Sequence, residues 1–181
     1  MKVIILMGCS GSGKSTYARA LAEKHSKETG LTTYRLCDEK PEGEIGSVVL
    51  SADDLTFDED GTFHPEKLSN AHAQCLGYFL KILNIYDPED DSNRLVIVDN
   101  TNTSMAEVAP YVAMARLYDV ELEVDVFIAP WTNCAHRSEH GLTAHKIRQQ
   151  AKRLEKTLDD WPPYWPELQY KVMTVQRQPN A

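Results

Sequence analysis

The chain is punctuated by short, nearly unbroken apolar runs rather than by long alternating stretches. "KVIILM" (2–7), "SVVLS" (47–51) and "RLVIVDN" (94–100) are the strongest of them. Runs of this length with no polar alternation suit strands covered on both faces, as in a parallel sheet. "VELEVDVFIAP" (120–130) begins by alternating and ends apolar, "TTYRLC" (32–37) has the composition of a strand or an edge hairpin, and "QYKVMTVQ" (169–176) supplies a last strand. Between them the period changes from two to about 3.6. Tyr17, Ala18, Leu21 and Ala22 mark a helix over 14–29 with Gly30 as its stop. Leu68, Ala71, Cys75, Leu76, Phe79, Ile82 and Leu83 lie on one side of a helix running from Pro65 to about Tyr86. Ser104 or Thr103 can cap a helix from Met105 to Tyr118, and residues 132–158 read as helical with a break near Gly141. Strands alternating with helices predict an α/β fold, a mainly parallel sheet flanked by helices.

Composition narrows this pattern only a little. The chain has 181 residues, 42% hydrophobic and 25% charged, which fits one domain with a real core. The longest apolar runs are strand-sized, so no membrane span is expected, and the start lacks a secretory pattern; the expectation is a cytoplasmic protein. Cys9, Cys37, Cys75 and Cys134 form no CxxC pair, which argues against structural zinc and a disulfide framework. Cys9, inside a glycine-rich loop, reads as a small filler whose oxidation would block that loop.

The net charge of −8 excludes a general nucleic-acid coat protein, but it is unevenly distributed. Residues 38–66 carry ten acids against one base, whereas residues 131–157 carry six bases against two acids. Local sign therefore matters more than the total.

The chemistry begins at "GCSGSGKS" (8–15), which follows the first apolar run and opens the first helix. It matches G-x-x-x-x-G-K-[S/T] at every fixed position and in the required strand–loop–helix context. Gly8, Gly11 and Gly13, with Ser12 between them, let successive N–H groups turn inward as an anion nest at a helix N-terminus. Lys14 would reach the β- and γ-phosphates of a nucleoside triphosphate, Ser15 would ligate Mg2+, and Thr16 would touch the α-phosphate. A second metal anchor is expected at the end of a neighbouring strand, and Asp99 closes "LVIVD". "VVLSADD" ends another buried strand in two acids. Carboxyl ends of parallel strands face the ligand crevice, so Asp53 is placed as the base for an incoming hydroxyl, with Asp54 structural. Arg137 and the basic helix after it (about 131–157) form a lid that could close on the triphosphate. No N-K-x-D motif is present, which argues against a GTPase switch. Size and carboxylate placement favour a small kinase.

Four motifs in order, the phosphate loop with "STYARAL", then "LSADD", "VIVDNTNTS" and "APWTNCAHRSEHG", are similar to those of the P-loop 5′-hydroxyl polynucleotide kinases. The likeness covers residues 1 to about 157. It implies the P-loop kinase fold with a helical lid, ATP and Mg2+ as donor and cofactor, and a nucleic-acid 5′ end as acceptor. Any phosphatase or ligase of end healing would be a separate chain. It further implies Asp53 as catalytic base, Lys14 and Arg137 as catalytic cations, Asp99 beside the metal, Asn102 near the acceptor, and Arg153 as a further nucleotide-side position. His72, in "NAHAQ", matches a position of unassigned role. Thr56 departs from the family, which can carry an acceptor-gripping arginine there, and the segment 31–46 has no counterpart. "WPPYWP" (161–166) offers either base stacking or packing. Two alternatives stand beside the polynucleotide acceptor: a kinase for a nucleoside, sugar or other small alcohol, and a nucleotide-dependent binding subunit.

Overall fold

β1 (Lys2–Met7) is buried over five of its six residues, and the reason lies on both of its faces. Val3, Ile5 and Met7 point to one side and Ile4 and Leu6 to the other, each set entering a different apolar cluster. The computed structural model describes residues 1–38, 43–58, 62, 64–87, 89, 93–138 and 142–172. Its six strands form one parallel sheet, ordered β2 (Thr32–Arg35), β3 (Ile45–Leu50), β4 (Leu95–Val98), β1, β5 (Glu121–Ile128), β6 (Leu168–Val172). The chain leaves β1 toward one edge and returns through β4 to build the other. The carboxyl ends of β1 and β4 therefore flank the crevice where such sheets bind ligands.

α1 (Lys14–Thr29) covers one face through Ala18 and Ala22, against Ile4, Leu6, Val49 and Ile97. The opposite face is covered by α2 (Leu68–Asn84), α3 (Met105–Leu117) and α5 (Ala144–Asp159), whose Phe79, Leu83, Val108, Tyr111 and Leu154 pack on Val96, Val98, Val124 and Val126. Ser104 is the cap of α3: the Glu107 carboxylate accepts its backbone N–H at 2.9 Å.

Three expectations are refined. "TTYRLC" is a strand rather than a hairpin. Its first four residues are an edge strand parallel to β3, with Thr33 and Ser47 hydroxyls paired at 2.7 Å. The helix expected from Pro65 begins as a 3₁₀ turn, Pro65–Lys67, and becomes α-helical at Leu68. The long basic helix is two helices, α4 (Trp131–Arg137) and α5; the break at Gly141 lies outside the described residues, as does the end of the last strand beyond 172. In "WPPYWP", Trp161 and Trp165 meet edge to face at 4.9 Å and pack partly buried on the main core, and Trp161 Nε1 donates to the Pro166 carbonyl at 3.0 Å. These two rings are used for packing; Tyr164 stays exposed. Among the described residues, no helix is long and apolar enough to cross a membrane.

Candidate active site

The loop between β1 and α1 has the shape that its glycines allow. Gly13, the residue before α1, has φ 99°, and Gly11 has φ 78°, both in the left-handed region. Gly11 is also needed for space. A Cβ there would stand 2.2 Å from the Cys134 carbonyl oxygen, because α4 lies directly on the loop. α5 holds it from another side: Gln150 Oε1 accepts the Ser10 N–H at 2.9 Å.

The loop opens into a cavity of about 540 Å³. It is lined by Gly11, Gly13, Lys14, Ser15 and Thr16 of the loop and the start of α1, Asp53 after β3, Asp99 and Asn100 after β4, and His136 and Arg137 of α4. Lys14 is only 6% exposed, and its ammonium donates to the Cys9 carbonyl at 2.8 Å. Burial pulls its pKa down, while Asp99 first and then Asp53 act in the opposite sense. Ser15 and Thr16 present hydroxyls from the first turn of α1.

Asp99 is 4% exposed at the end of β4, and its Oδ1 has no hydrogen-bond partner among the described residues. Burial pushes this carboxyl up; Lys14, and then a hydrogen bond with the Ser15 side chain, pull it back. A buried carboxylate oxygen without a partner, beside a serine hydroxyl at an anion nest, is a hard-oxygen donor set. It fits a magnesium ion that keeps water and phosphate oxygens as its other ligands.

Asp53 begins a 3₁₀ turn, Asp53–Leu55, just past β3, and faces the same cavity. Asp54 points elsewhere. Arg35, on the edge strand, clamps it through Nη2–Oδ1 at 2.6 Å and Nε–Oδ2 at 3.3 Å. Thr56 is fully buried and its hydroxyl donates to the Asp53 carbonyl at 2.8 Å, so it braces the turn and cannot touch an acceptor. Arg137 ends α4 and lines the cavity from the lid side.

Several expected residues stand elsewhere. Asn102 is 2% exposed with φ 45°, and its amide donates to the Leu6 carbonyl at 2.9 Å. It ties the loop after β4 to the end of β1; Asn100 and Thr101 line the cavity instead. Arg153 lies exposed on α5 and does not line the cavity. Ser12 turns its N–H to the Cys9 carbonyl at 3.1 Å and keeps its hydroxyl near Lys14, and the Gly8 N–H is taken by the Thr101 carbonyl at 2.8 Å. Both shape the loop behind the nest. His72 sits half-buried on α2, away from the cavity lining.

Arg19 was not anticipated. It lines the cavity one helical turn beyond Ser15, with Nε donating to the Ser15 carbonyl at 3.1 Å. The four-residue spacing from a phosphate-loop serine is the signal that could have found it. Cys9 and Cys134 share a buried apolar cluster behind the loop. Their mutual hydrogen bond raises the Cys9 thiol and draws that of Cys134 down to about 7, with Arg137 adding to the second effect.

Fold and site together define a P-loop nucleotide-binding α/β protein with a helical lid. The chain belongs to the AAA_33 family, described as AAA domain, whose model matches residues 3–160. Solved structures share the P-loop kinase fold. They include a gluconokinase from Sinorhizobium meliloti 1021 (16% identity, 98% of this chain and 84% of that one, TM-score 0.53). The APS kinase CysC of Mycobacterium tuberculosis, in complex with AMPPNP and APS, is similar at 21% identity, 98% and 90% coverage and TM-score 0.50. Kti12 of Chaetomium thermophilum, in complex with ADP-AlF3, is similar at 14% identity, 94% and 88% coverage and TM-score 0.51.

Proposed function

We propose that this protein transfers the γ-phosphoryl group of Mg·ATP to an alcohol hydroxyl, with Asp53 as the general base. The carrying observation is that Asp53 lines the same cavity as Lys14, Ser15 and Asp99, close enough for its charge to act on Lys14. The nest N–H groups and Lys14 would hold the β- and γ-phosphates, Ser15 and Asp99 would hold Mg2+, and Arg137 would neutralise charge growing on the transferred group. Held by Ser15 and Asp99, Mg2+ would supply charge neutralisation for the phosphates. Asp53 would accept the acceptor's proton as the hydroxyl oxygen attacks phosphorus in line with the leaving β–γ bridging oxygen.

A small acceptor is favoured. A cavity of about 540 Å³ suits one compact ligand beside the phosphates. Among the described residues its lining contains no Phe, Tyr or Trp ring, His136 being its one aromatic side chain; Thr56 is buried, and the Asn102 amide is turned to the Leu6 carbonyl. The similarity to a gluconokinase and an APS kinase supports the same class. The second reading, a 5′-hydroxyl end of DNA or RNA, is supported by the ordered motifs "LSADD", "VIVDNTNTS" and "APWTNCAHRSEHG". Under it, a phosphatase or ligase partner would be a separate chain.

Labelling with γ-labelled ATP and Mg2+ separates the two. Gluconate, APS, adenosine and a 5′-hydroxyl oligonucleotide are offered as acceptors. Label on a small alcohol and none on the oligonucleotide is expected; label on the oligonucleotide alone would establish the second reading. Release of inorganic phosphate with no labelled acceptor would point to a nucleotide-dependent binding subunit.

A further inference from the structure

The backbone ladder between β3 and β4 ends at a defined rung. The Asp99 N–H donates to the Leu50 carbonyl at 2.8 Å, and beyond it β3 bends away into the 3₁₀ turn that starts at Asp53. A strand end that leaves its sheet loses its pairing, and a residue carried there would be poorly fixed. In this protein the next rung is made by a side chain. Asn100 Oδ1 accepts the Ala52 N–H at 2.8 Å, and both groups are buried, Ala52 at 1% and Asn100 at 5% exposure.

On its other side the amide Nδ2 is buried with no hydrogen-bond partner among the described residues, next to the Cys75 thiol of α2 and the Tyr111 hydroxyl of α3. Ala52 packs with Ala71 and Cys75 in a small cluster beneath the turn. One side chain thus spans β4, the end of β3 and the two helices behind them, immediately before the first residue of the turn. Asn100 also lines the cavity, next in sequence to Asp99.

We infer that Asn100 is a positioning residue for phosphoryl transfer: by accepting the Ala52 N–H it fixes the direction of the Asp53 carboxylate toward the acceptor hydroxyl. This rests on the assignment of Asp53 as base. Asparagine suits the position better than aspartate because it provides the same acceptor oxygen without adding a charge beside Asp53 and Asp99. Near-attack geometry is sensitive to displacements of about 1 Å, which can cost on the order of 10²-fold in rate. The effect belongs in kcat, because the phosphate nest does not depend on this bond.

The test compares Asn100→Ala, Asn100→Asp and Asp53→Asn by steady-state transfer from γ-labelled ATP. The acceptor is whichever of gluconate, APS, adenosine and the 5′-hydroxyl oligonucleotide takes label with wild type. Asn100→Ala is expected to lower kcat about 10- to 100-fold with the KM for ATP changed less than about twofold. Asn100→Asp keeps the oxygen that meets Ala52 and is expected to recover most of the rate. Its pH–kcat profile should move to higher pH, because a new carboxylate beside Asp53 makes that base harder to ionise. A normal kcat in Asn100→Ala, a loss confined to the KM for ATP, or equal slowness of the Ala and Asp variants would overturn the inference. If Asp53→Asn is inactive while Asn100→Ala is normal, only the role of Asn100 fails. If Asp53→Asn turns over like wild type, the base assignment fails and takes this role with it.

Discussion

Lys14 and Asp99 are buried charges that line one cavity and act on each other, and burial shifts each toward its neutral form. Such a pair costs stability, and under the proposed function phosphates and a metal ion would offset part of that cost. The pH dependence follows from the two directions. Asp99 has a folded pKa above its unfolded one, so the native state loses stability as pH rises from the unfolded carboxylate value through the folded one. Lys14 has a folded pKa below its unfolded one, so the native state regains stability as pH rises from the folded value toward 10.5. The penalty is greatest between these ranges. The double variant Lys14→Met with Asp99→Asn should therefore melt higher than wild type near neutral pH without nucleotide, by about 1–4 kcal/mol if it follows other buried pairs. Its advantage should shrink in strong acid and strong alkali, and Mg·ATP should not raise its Tm. A double variant that melts lower than wild type at neutral pH would contradict this. The identities of these two residues could be read from sequence, since loop spacing and a strand-terminal acid identify them. The assignments of Asn102 and Arg153 could not be checked that way, because resemblance fixes a position in a motif and says nothing of which way a side chain turns. The backbone of Asn102, at φ 45°, turns its amide to Leu6.

At the scale of elements, the lid and the phosphate loop form one unit. α4 contacts the loop at the carbonyl of Cys134, over Gly11, and Arg137 follows three residues later on the same short helix. Gly11→Ala would press a methyl group into that carbonyl in a backbone region that L side chains rarely adopt. The expected outcome is a loss of at least about tenfold in affinity for a fluorescent ATP analogue, with near-normal far-UV circular dichroism. Unchanged affinity would show that the helix can move off the loop without consequence. The strands and most helices follow from apolar period alone, because a parallel sheet covered on both faces leaves near-continuous hydrophobic runs. What could not be read was how elements meet. The parallel pairing of β2 with β3 and the clamp of Arg35 on Asp54 join residues whose closeness arises only when α1 returns the chain to the sheet edge. That clamp removes one acid of the pair from the cavity and leaves Asp53 as the one that faces it.

Across the whole molecule, residues 38–66 are acid-rich and residues 131–157 base-rich in sequence, and at the cavity each stretch contributes one charged side chain among the described residues, Asp53 and Arg137. The central claim is that the carboxylate at position 53 drives chemistry across this crevice, and one measurement tests it most directly. Single-turnover transfer of labelled phosphoryl from pre-bound ATP to acceptor is followed in wild type and Asp53→Asn, with ATP affinity measured on the same samples. General-base catalysis accounts for about 10²- to 10⁴-fold in rate, so the variant should bind ATP normally and transfer slower by that factor. Equal transfer rates at equal ATP occupancy would contradict the account.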